Sequence, residues 1–249
     1  LLKVKNRRGK AGFVLAVSRP DGRPIEGLAS DIETPSSKTP LPPLEKTTWK
    51  TVSRHVFRSK SFSSKLEVAV GSFKVVNRRL VGRSSDKGVA WRKYTVRPGF
   101  PKDAPSNLAW IPAKHTEGLA DLRFTLELAP GDKAPKITVT CQGEGGDDGL
   151  SGWTLIVHPG GKGRVQARLE RYDRVVYQVP PRDAPQDEVQ ALVLTLRDRR
   201  LSAALGTTVL FDEVPIDPIP GRHALGFATF GAQPGIVSFR LETPQPPRR

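Results

Sequence analysis

Five short apolar-rich runs follow one another near the end of the chain: Ala191 to Arg197, Leu201 to Leu205, Val209 to Phe211, Ala224 to Phe230 and Ile236 to Leu241. Asp198, Gly206, the stretch Pro218 to Gly221 and the stretch Gly231 to Gly235 separate them. Runs this short are marginal as helices, and the turn residues between them are spaced as an antiparallel meander requires. No other segment restricts the fold as firmly, and it restricts it to β-architecture.

The composition points the same way. The chain has 249 residues, 37% of them hydrophobic, with 23 Gly and 23 Pro, which suits many short strands joined by loops. A chain of this length buries a substantial core. No long amphipathic helix is legible, and the apolar stretch from Phe13 to Val17 is far too short to span a bilayer. The chain opens on Leu1 and holds no Met, so an upstream region carrying an export signal is expected to precede it. With one cysteine, Cys141, neither an intramolecular disulfide nor a thiolate metal cluster can form. Its place in the strand pattern 136–142 reads as buried packing.

The net charge of +15 is concentrated in the first part of the chain. Residues 1–100 hold 22 Lys and Arg against 7 Asp and Glu, whereas residues 101–249 hold 18 of each. Such an excess suits contact of residues 1–100 with a polyanion, nucleic acid or an anionic membrane surface. No helix-turn-helix, zinc-finger or base-stacking pattern accompanies it.

Residues 1–29 read as a short β-hairpin, or the remnant of an upstream region, around Pro20-Asp21-Gly22. Residues 30–55, rich in Pro, Ser and Thr, read as a linker, and 244–249 as a tail. Between them, 56–243 form the main domain. Phe73 to Val76 and Arg79 to Gly82 flank Asn77-Arg78 as a hairpin, because Asn tolerates the left-handed conformation of a tight turn. Residues 89–96, 121–128, 136–142 and 153–158 have period-two or β-branched character, and 164–172 pairs with 175–179 as a second hairpin. Residues 98–118, with their prolines, read as a long loop. About a dozen strands without intervening helices make this an all-β, two-sheet antiparallel sandwich of jelly-roll type, preceded by an irregular basic N-terminal segment.

Three passages resemble the concanavalin A-like lectin/glucanase superfamily, in particular bacterial 3-keto-disaccharide hydrolase-like domains related to family 16 glycoside hydrolases. They are Ser64 to Gly82, Asp121 to Leu128, and the closing runs from Leu194 to Gly206, Arg222 to Gly231 and Val237 to Glu242. In that family a tryptophan commonly stands at the place of Leu66 and a glycine at that of Arg78 or Arg79. The resemblance covers 56–243 and implies a carbohydrate or glycan partner and an extracytoplasmic location in a larger exported bacterial protein. The Glu-x-Asp-x-x-Glu constellation of family 16 glucanases is missing from the chain. A noncatalytic carbohydrate-binding or adhesion module is therefore the leading expectation. A glycoside or 3-keto-disaccharide hydrolase is the first alternative, and a polyanion-binding scaffold the second.

Glycoside hydrolysis needs two carboxyl groups across the scissile bond, and Glu144, Asp147 and Asp148 form the one acidic cluster outside the hairpins. The same loop offers oxygen ligands to Ca²⁺ without the spacing of a known calcium loop, and no other cofactor is implied. Sugar recognition pairs an aromatic platform with a few polar groups. Trp110, with Lys114 and His115 nearby in the long loop, has that composition. Trp153 and Tyr172 are further platforms, although Trp153 also fits a core position, and His158 borders a loop. The four histidines show no His-x-His or His-Glu-x-x-His spacing, so no local zinc site is expected.

Overall fold

The computed structural model describes residues 47–58, 62, 64–83, 107–130, 135–143, 152–160, 163–171, 174–183, 189–219, 223–230 and 234–245. All belong to the unit Glu45–Arg249. The expected strand at 89–96 and the readings of 1–29 and of 30–46 lie outside the described residues.

Fifteen described strands form two antiparallel sheets. The eight-stranded sheet contains β1 (Trp49–Val56), β3 (Phe73–Val76), β4 (Arg79–Gly82), β6 (Leu122–Leu128), β11 (Gln190–Arg197), β12 (Arg200–Leu205), β13 (Thr208–Pro215) and β15 (Ile236–Pro244). Its order is β13-β12-β11-β6-β15-β4-β3, with β1 also paired to β15. The seven-stranded sheet runs β10-β9-β8-β7-β14-β5-β2. Its members are β2 (Glu67–Val70), β5 (Asn107–Trp110), β7 (Ile137–Gly143), β8 (Trp153–Pro159), β9 (Arg164–Arg171), β10 (Arg174–Asp183) and β14 (Ala224–Thr229). A four-residue helix, α1 (Ala113–Thr116), follows β5.

Alternation places the core between the sheets. On β6, Leu122, Phe124, Leu126 and Leu128 are buried in it, while Arg123, Thr125 and Glu127 point the other way. Phe73 of one sheet meets Phe227 of the other at 6.0 Å, edge to face, and Phe124 and Phe57 gather around Phe239. Each such ring contributes roughly 2–3 kcal/mol on burial. Cys141 is fully buried in the same core, and desolvation pushes its thiol up to about 12.

The closing runs differ from a simple meander. β11, β12 and β13 are neighbours, but β14 crosses to the other sheet between β7 and β5, and β15 returns between β6 and β4. Their apolar faces are equally satisfied by either sheet, so local pattern does not decide the layer. Residues 49–55, read as the end of the linker, are β1: Val52 and Val56 supply β-branched positions and the strand pairs along β15 from Trp49↔Pro244 to Val56↔Ser238. Within the presumed loop 98–118, Asn107–Trp110 is an interior strand between β14 and β2.

Candidate functional site

Pairing across the seven-stranded sheet fixes which side chains share its outward face, the side away from the core. On β8, Trp153, Leu155 and Val157 belong to the core, which leaves Thr154, Ile156 and His158 outward. Thr154 stands opposite Thr140 on β7 and Glu170 on β9, Ile156 opposite Thr138 and Arg168, and His158 opposite Gln166. Arg168 in turn faces Gln178 on β10. In the other direction Thr140 and Thr138 face Gly226 and Ala228 on β14, which face Trp110 and Leu108 on β5. Trp110 finally faces Glu67 on β2.

This face has a closed half and an open half. Toward β5, Leu108, Trp110, Ala228, Thr138, Thr140 and Thr154 are all buried. The Trp110 indole lies where glycine leaves room: a Cβ on Gly226 would stand 2.5 Å from its Cε3, and one on Gly143 3.1 Å from its Cη2. The hydroxyls of Thr140 and Thr154 hydrogen-bond at 3.2 Å.

Toward β10 the face opens. Gln178 is exposed, Gln166 and His158 are half-buried, and the Arg168 side chain keeps 25% of its exposure. Arg168 Nε lies 2.7 Å from Oε1 of the buried Glu170 but is not aligned with it for a hydrogen bond, so the contact is an ion pair. Burial lowers the pKa of His158, opposed by its bond with the Pro159 carbonyl and reinforced by the nearby Arg168 and Lys136 charges. The imidazole is thus neutral at pH 7. A neutral imidazole, two carboxamides and a fixed guanidinium supply both donors and acceptors for a hydroxyl-rich ligand.

The residues singled out from sequence scatter. Trp110 is a packed strand residue and presents no open ring face, because a four-residue interior strand between prolines looks like loop in sequence. Trp153 is a core residue whose Nε1 donates to the Asp217 carbonyl at 2.8 Å, with the Arg171 guanidinium 5.4 Å over its ring. Lys114, exposed, and His115, half-buried, sit on α1 and take no part in the pairing of the outward face. His158 is on the face. Glu144, Asp147, Asp148 and Tyr172 lie outside the described residues. Gln166, Arg168, Glu170 and Gln178 were missed, although the strict alternation of polar and apolar residues from Arg164 to Glu170 marks three of them as one face.

Two carboxylates share the row through Trp110, Glu67 and Glu170, at opposite ends of six strands. Five strand spacings put their backbones about 24 Å apart, against the roughly 5–10 Å that glycoside hydrolysis uses.

No known protein family matches the chain, and no curated protein matches it either. Solved structures do. A protein of unknown function with a galectin-like fold from Bacillus subtilis aligns over 81% of this chain and 100% of its own, at 14% identity and a TM-score of 0.50. The fold is galectin-like. A chain from the endo-acting O-glycanases that members of the human gut microbiota express to initiate mucin breakdown aligns over 78% of this chain and 99% of its own, at 8% identity and a TM-score of 0.50. The carbohydrate-binding module CBM66 from Bacillus subtilis covers 72% and 93%, at 11% identity and a TM-score of 0.45. At these identities the likeness is one of fold, a two-sheet antiparallel β-sandwich.

Proposed function

We propose that this chain is a noncatalytic carbohydrate-binding module, and that it holds its glycan on the open half of the seven-stranded sheet. The observation that carries the reading is the convergence of His158, Gln166, Arg168 and Gln178 on one accessible face, with Arg168 held by the buried Glu170. Sugar hydroxyls act as donor and acceptor together, and planar guanidinium and carboxamide groups match adjacent hydroxyl pairs. The glycan class named for the O-glycanase neighbour makes mucin-type glycans a reasonable first panel. A place outside the cytoplasm, within a larger exported bacterial protein, belongs to the same proposal and rests on the sequence resemblance. Catalysis on 3-keto-disaccharides rests on that resemblance too, and the two carboxylates in the row through Trp110, those of Glu67 and Glu170, stand too far apart to act as its pair.

The test is a glycan array with the whole chain, followed by titration of the best ligand. Arg168→Lys keeps the charge beside Glu170 and removes the planar fork; with Gln178→Ala it should weaken binding about tenfold or more, the scale of losing one or two hydrogen bonds. An array without binders, or an affinity indifferent to both changes, would overturn the reading.

A further inference from the structure

The outward face of the eight-stranded sheet, on the other side of the sandwich, carries an arrangement that sheet stability does not explain. Arg54 on β1 stands directly opposite Arg240 on β15. Like charges at directly opposed positions destabilise a sheet. Both are exposed, the Arg240 side chain by 44%. One step along the ladder, Arg123 on β6 stands opposite Glu242 on β15, which brings a third guanidinium beside the pair.

Glu242, buried, serves two of the three. Its Oε2 accepts from Arg123 Nε at 2.7 Å and lies 3.5 Å from Arg240 Nε. The Arg123 guanidinium also stacks 4.8 Å above the Trp49 ring. That carboxylate is therefore committed to Arg123, which is clamped from two sides. No carboxylate among the described residues pairs with Arg54. Glu127, also on this face, accepts the Ser238 hydroxyl at 2.6 Å. Arg54 and Arg240 remain as a directly opposed, solvent-exposed cationic pair.

We propose that Arg54 and Arg240, braced by the Arg123–Glu242 pair, form a seat for the sulfate or carboxylate groups of an acidic polysaccharide. Guanidinium forks match both anions bidentately. The exposed Thr51, opposite Glu242 on β15, adds a hydroxyl beside the seat. Among the described residues Trp49 is the aromatic side chain of this face, and Arg123 already occupies its ring, which leaves no platform on which a nucleic-acid base would stack. The seat lies on a different sheet from the neutral-glycan site and stands independently of it.

Calorimetric titration of the whole chain tests this. The ligands are a sulfated, uronate-containing hexasaccharide, its desulfated and carboxyl-reduced counterpart, and inorganic sulfate, each against wild type and Arg54→Gln/Arg240→Gln. The charged hexasaccharide should bind about tenfold more weakly to the double variant, with a salt dependence shallower by roughly one to two counterions. Binding of the neutral counterpart should not change between the two proteins. Equal affinity of wild type and variant for the charged sugar overturns the proposal. So does inorganic sulfate binding as tightly as the hexasaccharide, which would make this a free-anion site, and so does tighter, Arg54-dependent binding of single-stranded RNA. The melting temperature of the double variant should hold or rise, since a like-charge pair is gone. Should it fall, Arg54→Glu alone, at an exposed position, is expected to give the same loss. An array without neutral binders would sink the previous reading and leave this comparison intact.

Discussion

At the scale of single residues, Gly226 and Trp110 are one unit. The indole of Trp110 rests on the backbone of β14, and it does so because residue 226 has no side chain. A methyl group there would also press on the Ala109 carbonyl oxygen, 2.6 Å from the ideal Cβ. Gly226→Ala should therefore destabilise the protein by about 1–3 kcal/mol, the cost of overpacking. Trp110→Ala, which empties a buried indole site, should cost about 3–5 kcal/mol. The double variant separates the two contacts: since the Ala109 carbonyl stays in place, removing the indole should not rescue Gly226→Ala fully. Urea midpoints of the three variants measure this, and a double variant as stable as Trp110→Ala alone would show that only the indole matters. Trp110 was legible as a singular aromatic but not as a packed one, because its support comes from glycines more than thirty residues away in sequence.

At the scale of elements, the tight turns were the most legible features and the layer assignment the least. The hairpin at Asn77-Arg78 sits where a two-residue turn was read, and Asp198, read as a turn residue, forms its turn with Arg199; all four residues have positive φ, between 47° and 60°. A turn of two residues is decided by its own backbone. Which sheet a strand joins is decided by partners far along the chain, and so β14 and β15 could not be assigned from their alternation. Four-residue β5 fell below the length at which period two can be counted. The turns carry a prediction of their own. Arg78, at φ 60°, bears a side chain where the left-handed region strongly favours glycine. Arg78→Gly makes the turn Asn-Gly and should stabilise by about 1 kcal/mol. A lowered urea midpoint would mean that the arginine side chain contributes more than its strained backbone costs.

At the scale of the whole molecule, the two sheets are tied along one side through their edge strands. Tyr177 on β10 donates to the Pro215 carbonyl on β13 at 3.1 Å, Thr208 donates to the Asp183 carbonyl at 2.8 Å, and Arg182 donates to the Val209 carbonyl. Sheets joined in this way should unfold as one cooperative unit, so a proton-linked group in either sheet acts on global stability. His55 belongs to the eight-stranded sheet and His158 to the seven-stranded one. His55 packs edge-on against Phe57 at 4.9 Å, and its Nε2 is buried without a hydrogen-bond partner. Burial first, and the Lys65 charge second, lower its pKa below the ordinary 6.5; burial likewise lowers that of His158. Below pH 6.5 the unfolded chain takes up protons at both positions before the native state does, so stability falls as pH drops through the interval between 6.5 and the lowered native values. Above that interval neither histidine contributes a slope. Asp121 acts in the opposite sense at more acidic pH: burial raises its pKa above 3.8, so the native state binds its proton first and gains stability as pH falls toward 3.8. Urea midpoints should accordingly be level from pH 8 to 7 and decline by pH 5.5, and His55→Phe should flatten that decline in part, leaving the share of His158. A midpoint independent of pH between 7 and 5.5, or a His55→Phe variant with the slope of wild type, would show that protonated His55 is accommodated at the edge of the core.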